Sequence, residues 1–188
     1  PAGYFQRIRA ICDQYDVLFA ADEVITGFGR TGTMFALDHW GVEPDLVQFA
    51  KGITSGYLPL GGVGMSDKVA AVFDRPGADT WMHCYTYSGH PVGAAAAIAN
   101  IALIERDKLV ERVRDKIGPY FEQQLGTLRE HPAVGEVRVC KLIGAIELLP
   151  KGGRAELTPA LNLGMKMFEL VRKEKIIARG IRNLLAVS

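Results

Sequence analysis

The chain predicts an α/β fold built on a parallel sheet, followed by part of a smaller α+β domain. Three observations carry this reading. Val17–Ala21 and Leu46–Ala50 are short apolar runs without polar alternation, the pattern of strands buried on both faces of a parallel sheet. Each run ends on a reactive side chain, Asp22 after the first and Lys51 after the second. Near Asp107 the pattern changes, from an almost wholly apolar helix to apolar residues spaced among charges.

In chain order, Tyr4, Phe5, Ile8 and Ile11 recur at helical spacing, so Gly3–Gln14 reads as an amphipathic helix feeding the strand at Val17. After Asp22 comes Gly27-Phe28-Gly29-Arg30-Thr31-Gly32, which satisfies G-x-G-x-x-G. A dinucleotide site needs those glycines to open a full crossover helix, yet only Thr33–Trp40 is available before Gly41 and Pro44. Asp22 and Glu23 would also repel a pyrophosphate there. A nicotinamide-dinucleotide domain is therefore the distant alternative.

Gly52–Gly62 is glycine-rich and suits either close backbone approach to a flat ring or subunit, or a plain connection. Val63–Ser66 reads as another buried strand and Asp67–Phe73 as a brief helix. His83–Pro91 leads into an alanine-rich helix, Val92–Glu105, in which Asn100 is the one clear polar exception. That helix is too short for a bilayer and is expected to be buried against the sheet or in a dimer interface. Beyond Asp107, Leu109–Leu128 predicts a long amphipathic helix with a bend at Gly118-Pro119. Strands over Val134–Val139 and Leu142–Leu149, a helix over Pro159–Lys173 and a last strand at Ile176–Ala178 complete the second domain.

Composition narrows the class. With 188 residues, 48% hydrophobic and 23% charged, the chain is an ordinary globular protein, and its net charge of +1 comes from interspersed residues of both signs. No basic surface for nucleic acid is indicated, and no segment reaches the length of a membrane span. Cys12, Cys84 and Cys140 form no C-x-x-C pair and read as reduced thiols of a cytoplasmic protein. His83, Cys84 and His90 fit no zinc spacing, so no metal site is expected.

The chemistry rests on Asp22 and Lys51. Open parallel sheets bind ligands beyond the carboxyl ends of their strands, so both residues face one crevice if the strands are neighbours. A lysine in a dry pocket becomes nucleophilic, and pyridoxal phosphate (PLP) needs both a Schiff-base lysine and a carboxylate to keep its ring nitrogen protonated. From the residues alone, Glu23 serves as the acid equally well.

Three ordered blocks make the reading specific. Asp22-Glu23-Val24-Ile25-Thr26-Gly27-Phe28-Gly29-Arg30-Thr31-Gly32, Pro44-Asp45-Leu46 and Ala50-Lys51-Gly52 resemble the signature of class III (ω) aminotransferases, PLP-dependent enzymes of fold type I. The resemblance implies that residues 1–106 form the C-terminal part of the PLP-binding large domain (aspartate aminotransferase-like). Residues 107–188 would be part of the small C-terminal domain, so that the chain is the C-terminal half without its extreme end. It selects Asp22 for the pyridine nitrogen, Lys51 for the Schiff base and Val24 for the ring face. Thr86 would supply a hydroxyl to the cofactor phosphate of a partner in a homodimer, with Tyr85 beside it.

The implied activity is transfer of an amino group from an amine or ω-amino acid to a keto acid or aldehyde. A PLP decarboxylase or aminomutase, or a catalytically incompetent piece, are the alternatives. Two departures from the family pattern stand out. Val139 and Lys141 occupy positions where glycines follow the arginine, and the chain stops at Ser188 before the segment that often carries a substrate-carboxylate arginine.

Overall fold

Tyr4–Gln14 forms α1, and Arg9 ties the helix to the residue that precedes a strand. Arg9 pairs with Asp13 one turn on at 2.7 Å and reaches across to Asp45 at 2.8 Å. A computed structural model describes all residues from Pro1 to Ser188. They divide into two units, Pro1–Gly29 with Thr33–Val110, and Arg30–Gly32 with Glu111–Ser188.

The first unit holds a three-stranded sheet in the order β1 (Ala20–Asp22), β2 (Leu46–Phe49), β3 (Gly62–Met65). β1 and β2 are parallel, with Ala20 opposite Leu46 and Asp22 opposite Gln48, whereas β3 runs antiparallel to β2. Asp45 anchors the entry to β2: its buried carboxylate accepts the Phe19 N–H and an Arg9 N–H, both at 2.8 Å. Those bonds, the Phe19 amide first and the guanidinium second, hold the Asp45 carboxyl below the usual aspartate range.

The sheet departs from the expectation of strands buried on both faces. Val17 and Leu18 lie outside β1 and are exposed, and only Ala21 of the strand is buried. β3 alternates between half-buried and exposed positions rather than being buried throughout. The physical reason is position, since β1 and β3 are both edges of a three-stranded sheet. Helices form where expected, α2 at Asp67–Phe73 and α3 at Pro91–Arg106, with Pro91 in the first turn where no amide hydrogen is needed. Burial of α3 against the sheet is not observed, since only Gly93, Ala97 and Ile104 are buried and Val92, Ile98 and Leu103 stay exposed.

The second unit is an antiparallel sheet in the order β4 (Val134–Cys140), β5 (Ile143–Leu148), β7 (Leu184–Val187), β6 (Arg179–Ile181). Along β5 the buried residues alternate, Gly144, Ile146 and Leu148, and Ile146, Leu148 and Leu185 form a core under Leu125, Met167, Phe168 and Val171. Those four come from α5 (Gly118–Gly126) and α6 (Leu163–Lys173). Ahead of α5, α4 (Leu109–Arg112) leads into a π turn, Val113–Ile117. The widened turn lies just before Pro119, which lacks the amide hydrogen an α-helix needs there.

Two expectations in this unit are corrected. The predicted helix from Pro159 starts only at Leu163, because Asn162 adopts a left-handed φ of 45° between a 3-10 turn and α6. The last strand is not Ile176–Ala178 but the hairpin β6–β7, and Ile177 is fully open to solvent. The hairpin exists because two glycines let backbone meet backbone. A Cβ on Gly180 would stand 2.8 Å from the Met165 nitrogen, and one on Gly164 would stand 2.9 Å from the Ile181 nitrogen.

Candidate active site

The parallel pairing of β1 with β2 puts Asp22 and Lys51 at the carboxyl ends of neighbouring strands. Asp22 is the last residue of β1. Its Oδ1 accepts the Val24 N–H at 3.0 Å, which leaves Oδ2 as an unengaged acceptor, and no cation pairs with it. Lys51 follows β2 by one residue beyond Ala50 and opens a 3-10 turn, Lys51–Thr54. Its φ of 45° is left-handed, a conformation that costs a non-glycine residue roughly 1–2 kcal/mol. The amine makes no hydrogen bond or ion pair. A primary amine and an anionic acceptor, both uncommitted at one end of the sheet, are the donor set that PLP requires.

The dry pocket expected around them is not formed by this chain. Both Asp22 and Lys51 are exposed, because β1 is an edge strand and nothing in these 188 residues covers the strand ends. Val24 is half-buried just beyond Asp22.

Glu23 takes a different part from its neighbour. It is only 3% exposed, and its carboxylate accepts hydrogen bonds from Thr26 Oγ1, from Ala36 N at 3.0 Å and from Leu37 N at 3.0 Å. It therefore closes the loop that leaves β1 and holds the start of the 3-10 helix Ala36–Trp40. Its side chain is buried where that of Asp22 is exposed. Geometry thus separates two carboxylates that the residues alone, without the family resemblance, leave interchangeable.

The glycine loop is structural. Gly29 and Gly32 have φ of 92° and 82°, and a Cβ on Gly52 would stand 3.1 Å from Cβ of Phe28, so the loop from β1 packs against the turn that follows Lys51. Phe28 stacks edge-on with Phe35 and Phe49. A five-residue 3-10 helix follows the loop in place of the crossover helix that a dinucleotide site needs.

Tyr85 and Thr86 lie on the exposed stretch before α3 and bond to neither Asp22 nor Lys51. Tyr85 and Ser88 close a small turn, the Tyr85 N–H bonding to Ser88 Oγ and the Ser88 N–H to the Tyr85 carbonyl, both at 2.9 Å. The Tyr85 hydroxyl meets His83 Nε2 at 2.7 Å. His83, Cys84 and His90 gather no metal-ligand cluster. Asn100 was singled out by sequence only as an oddity. In the structure its amide bonds to the turn after Lys51.

The fold is mixed α/β, with an uncommitted lysine and aspartate at adjacent strand ends. Residues 1–179 match the family Aminotransferase class-III, and the chain belongs to that family. It is similar over its whole length to putrescine–pyruvate aminotransferase of Pseudomonas aeruginosa, at 39% identity covering 41% of that protein. With diaminobutyrate–2-oxoglutarate transaminase of Halomonas elongata it shares 40% identity, over 96% of this chain and 39% of the relative. Among solved structures, an (S)-enantioselective ω-transaminase from Thermomicrobium roseum superposes with a TM-score of 0.90 at 43% identity, over 100% of this chain and 42% of the other. An amine transaminase from an uncultivated Pseudomonas species, solved with PLP bound, gives 0.89 at 38% identity, over 100% of this chain and 43% of the other. The chain spans about 40% of the length of the relatives it matches. The family uses PLP.

Proposed function

We propose that the protein containing this chain transfers an amino group from an amine or ω-amino acid to a keto acid or aldehyde, with PLP attached to Lys51. The placing of Lys51 and Asp22 at the ends of adjacent parallel strands carries this reading. The names of the relatives support the donor class, since they act on a diamine and on diaminobutyrate. When bound, PLP supplies an aldehyde that captures amines and a ring that takes up an electron pair.

The chain's residues do the rest. Lys51 is the nucleophile that attaches the cofactor, and once displaced by the donor it removes and returns a proton at the donor's carbon. Asp22, whose carboxylate keeps an oxygen unengaged, would keep the ring nitrogen protonated when the cofactor is bound. Val24, half-buried beyond Asp22, would hold the ring face. Thr86 of a second copy contacts the phosphate with Tyr85 beside it, which makes a homodimer the working form. Their exposure ahead of α3 suits residues that serve a neighbouring subunit.

Residues 1–106 are read as part of the large domain and 107–188 as part of the small one. A cytoplasmic location fits three unpaired cysteines, two of them exposed. Borohydride reduction of the native protein followed by peptide mass analysis tests the central claim. A pyridoxyl group on Lys51 is expected, and its appearance on another lysine would end the proposal.

A further inference from the structure

α3 is nearly all alanine and aliphatic residues, and Asn100 breaks the pattern. Its side chain is half-buried and fully engaged. Nδ2 donates to the carbonyls of Gly52 at 2.9 Å and Ile53 at 3.0 Å, while Oδ1 accepts the Ser55 hydroxyl at 2.7 Å. All three partners belong to the turn that begins at Lys51. Only a side-chain amide offers two donors and an acceptor on one small group, so aspartate, alanine or leucine cannot reproduce this set.

The turn needs such a tie. Lys51 opens it at φ 45° and Ser55 closes it at φ 49°, two left-handed non-glycine residues within five positions. Conformations of this kind persist only where the surroundings over-determine them. The turn's own bonds are long, Ile53 N–H to the Ala50 carbonyl and Ser55 N–H to the Gly52 carbonyl, each at 3.2 Å. The three bonds to Asn100 are all shorter. Thr54 adds a fourth restraint through its Oγ1, which donates to the Leu58 carbonyl at 2.6 Å.

We propose that Asn100 is a positioning residue for Lys51, clamping the turn so that the amine leaves the end of β2 in one fixed direction. The inference rests on the assignment of Lys51 as the PLP-bearing lysine. It predicts that loosening the clamp alters what the amine does while the fold stays intact. A misplacement of about 1 Å at a reacting group is enough to cost roughly a hundredfold in rate.

The test compares Asn100→Ala and Asn100→Asp with Ile104→Ala in the native protein. Ile104 is a buried residue of the same helix with no bond to the turn, and it controls for loss of stability. In the PLP-free protein, competitive acetylation with acetic anhydride across a pH series reads the reactivity of Lys51 against the surface residue Lys68. In the loaded protein, kcat and KM for an amine donor are measured, together with the pH midpoint of the absorbance change at the cofactor.

Both Asn100 variants should shift the acetylation profile of Lys51 and the absorbance midpoint, and lower kcat by about tenfold to a hundredfold with KM changed far less. Ile104→Ala should leave the Lys51 profile in place. Wild-type acetylation and kcat in Asn100→Ala would overturn the inference. So would the same pattern in Ile104→Ala at equal thermal destabilisation, since that would make the effect a general loosening of α3. Absence of a pyridoxyl group on Lys51 in the wild type would instead refute the cofactor assignment, and the acetylation comparison would still read the clamp.

Discussion

Replacing Glu23 by glutamine separates the two adjacent carboxylates more sharply than any change at Lys51. Glu23 Oε2 accepts from Thr26 Oγ1 and Ala36 N, and Oε1 accepts from Leu37 N. A glutamine keeps one oxygen. Its better orientation puts that oxygen where Oε2 stands, retaining the Thr26 and Ala36 bonds, and turns the amide NH2 toward the Leu37 N–H. A buried amide hydrogen left facing another donor costs about 1–3 kcal/mol, and the two surviving bonds lose their charge assistance. Removing a buried charge offsets part of this loss.

The net expectation is about 2 kcal/mol against the loop, because the unpaired Leu37 amide is the one term that nothing compensates. The assay is hydrogen exchange of peptides covering residues 35–40 in the native protein, which reads the local opening free energy. A loss of about 2 kcal/mol speeds exchange there roughly thirtyfold, since each 1.4 kcal/mol is tenfold. Asp22→Asn should leave that exchange untouched, the only side-chain bond of Asp22 being to the Val24 N–H. Unchanged exchange in Glu23→Gln, or acceleration in Asp22→Asn, would refute the division of labour drawn from β1.

Other consequences follow from the same geometry. Asp22→Asn should fold normally and slow the single-turnover proton transfer from the donor by orders of magnitude, while Lys51→Ala should remove turnover entirely; stopped-flow absorbance checks both. Asp45 has its carboxyl held below the ordinary aspartate value of about 3.9 by the Phe19 amide and Arg9, so its contribution to stability is present above that value and lost as pH falls through the lowered one. Acid unfolding followed by circular dichroism should accordingly be flatter below about pH 4 in Asp45→Asn. Gly180→Ala should destabilise the second unit by about 1–3 kcal/mol, because its Cβ would meet the rigid backbone of Gly164 and Met165 rather than a movable side chain, and chemical denaturation measures it.

Much of this was legible in the residues. The amphipathic period of α1, the proline at the start of α3 and the apolar runs before Asp22 and Lys51 are local signals, and the structure forms elements there. Sequence could not foresee which strands would be edges. Burial on both faces is a property of neighbours, and β1 has one hydrogen-bonded partner strand in this chain. The terminal hairpin was missed for a related reason. Ile176 and Ile177 look like a strand by composition, yet the paired segments are those beside Gly180, where a missing side chain admits the backbone of α6.

By itself the order of residues determined the family, and it set Lys51 and a pair of acids each behind a short apolar run, because three blocks of identity and spacing survive without any folding. Only the tertiary structure decided that Glu23 turns inward to bind amides while Asp22 stays open, and that Asn100, forty-nine positions beyond Lys51, reaches back to the turn it begins. Burial of a side chain and contact between distant segments are set by packing, and packing has no signature in a linear string.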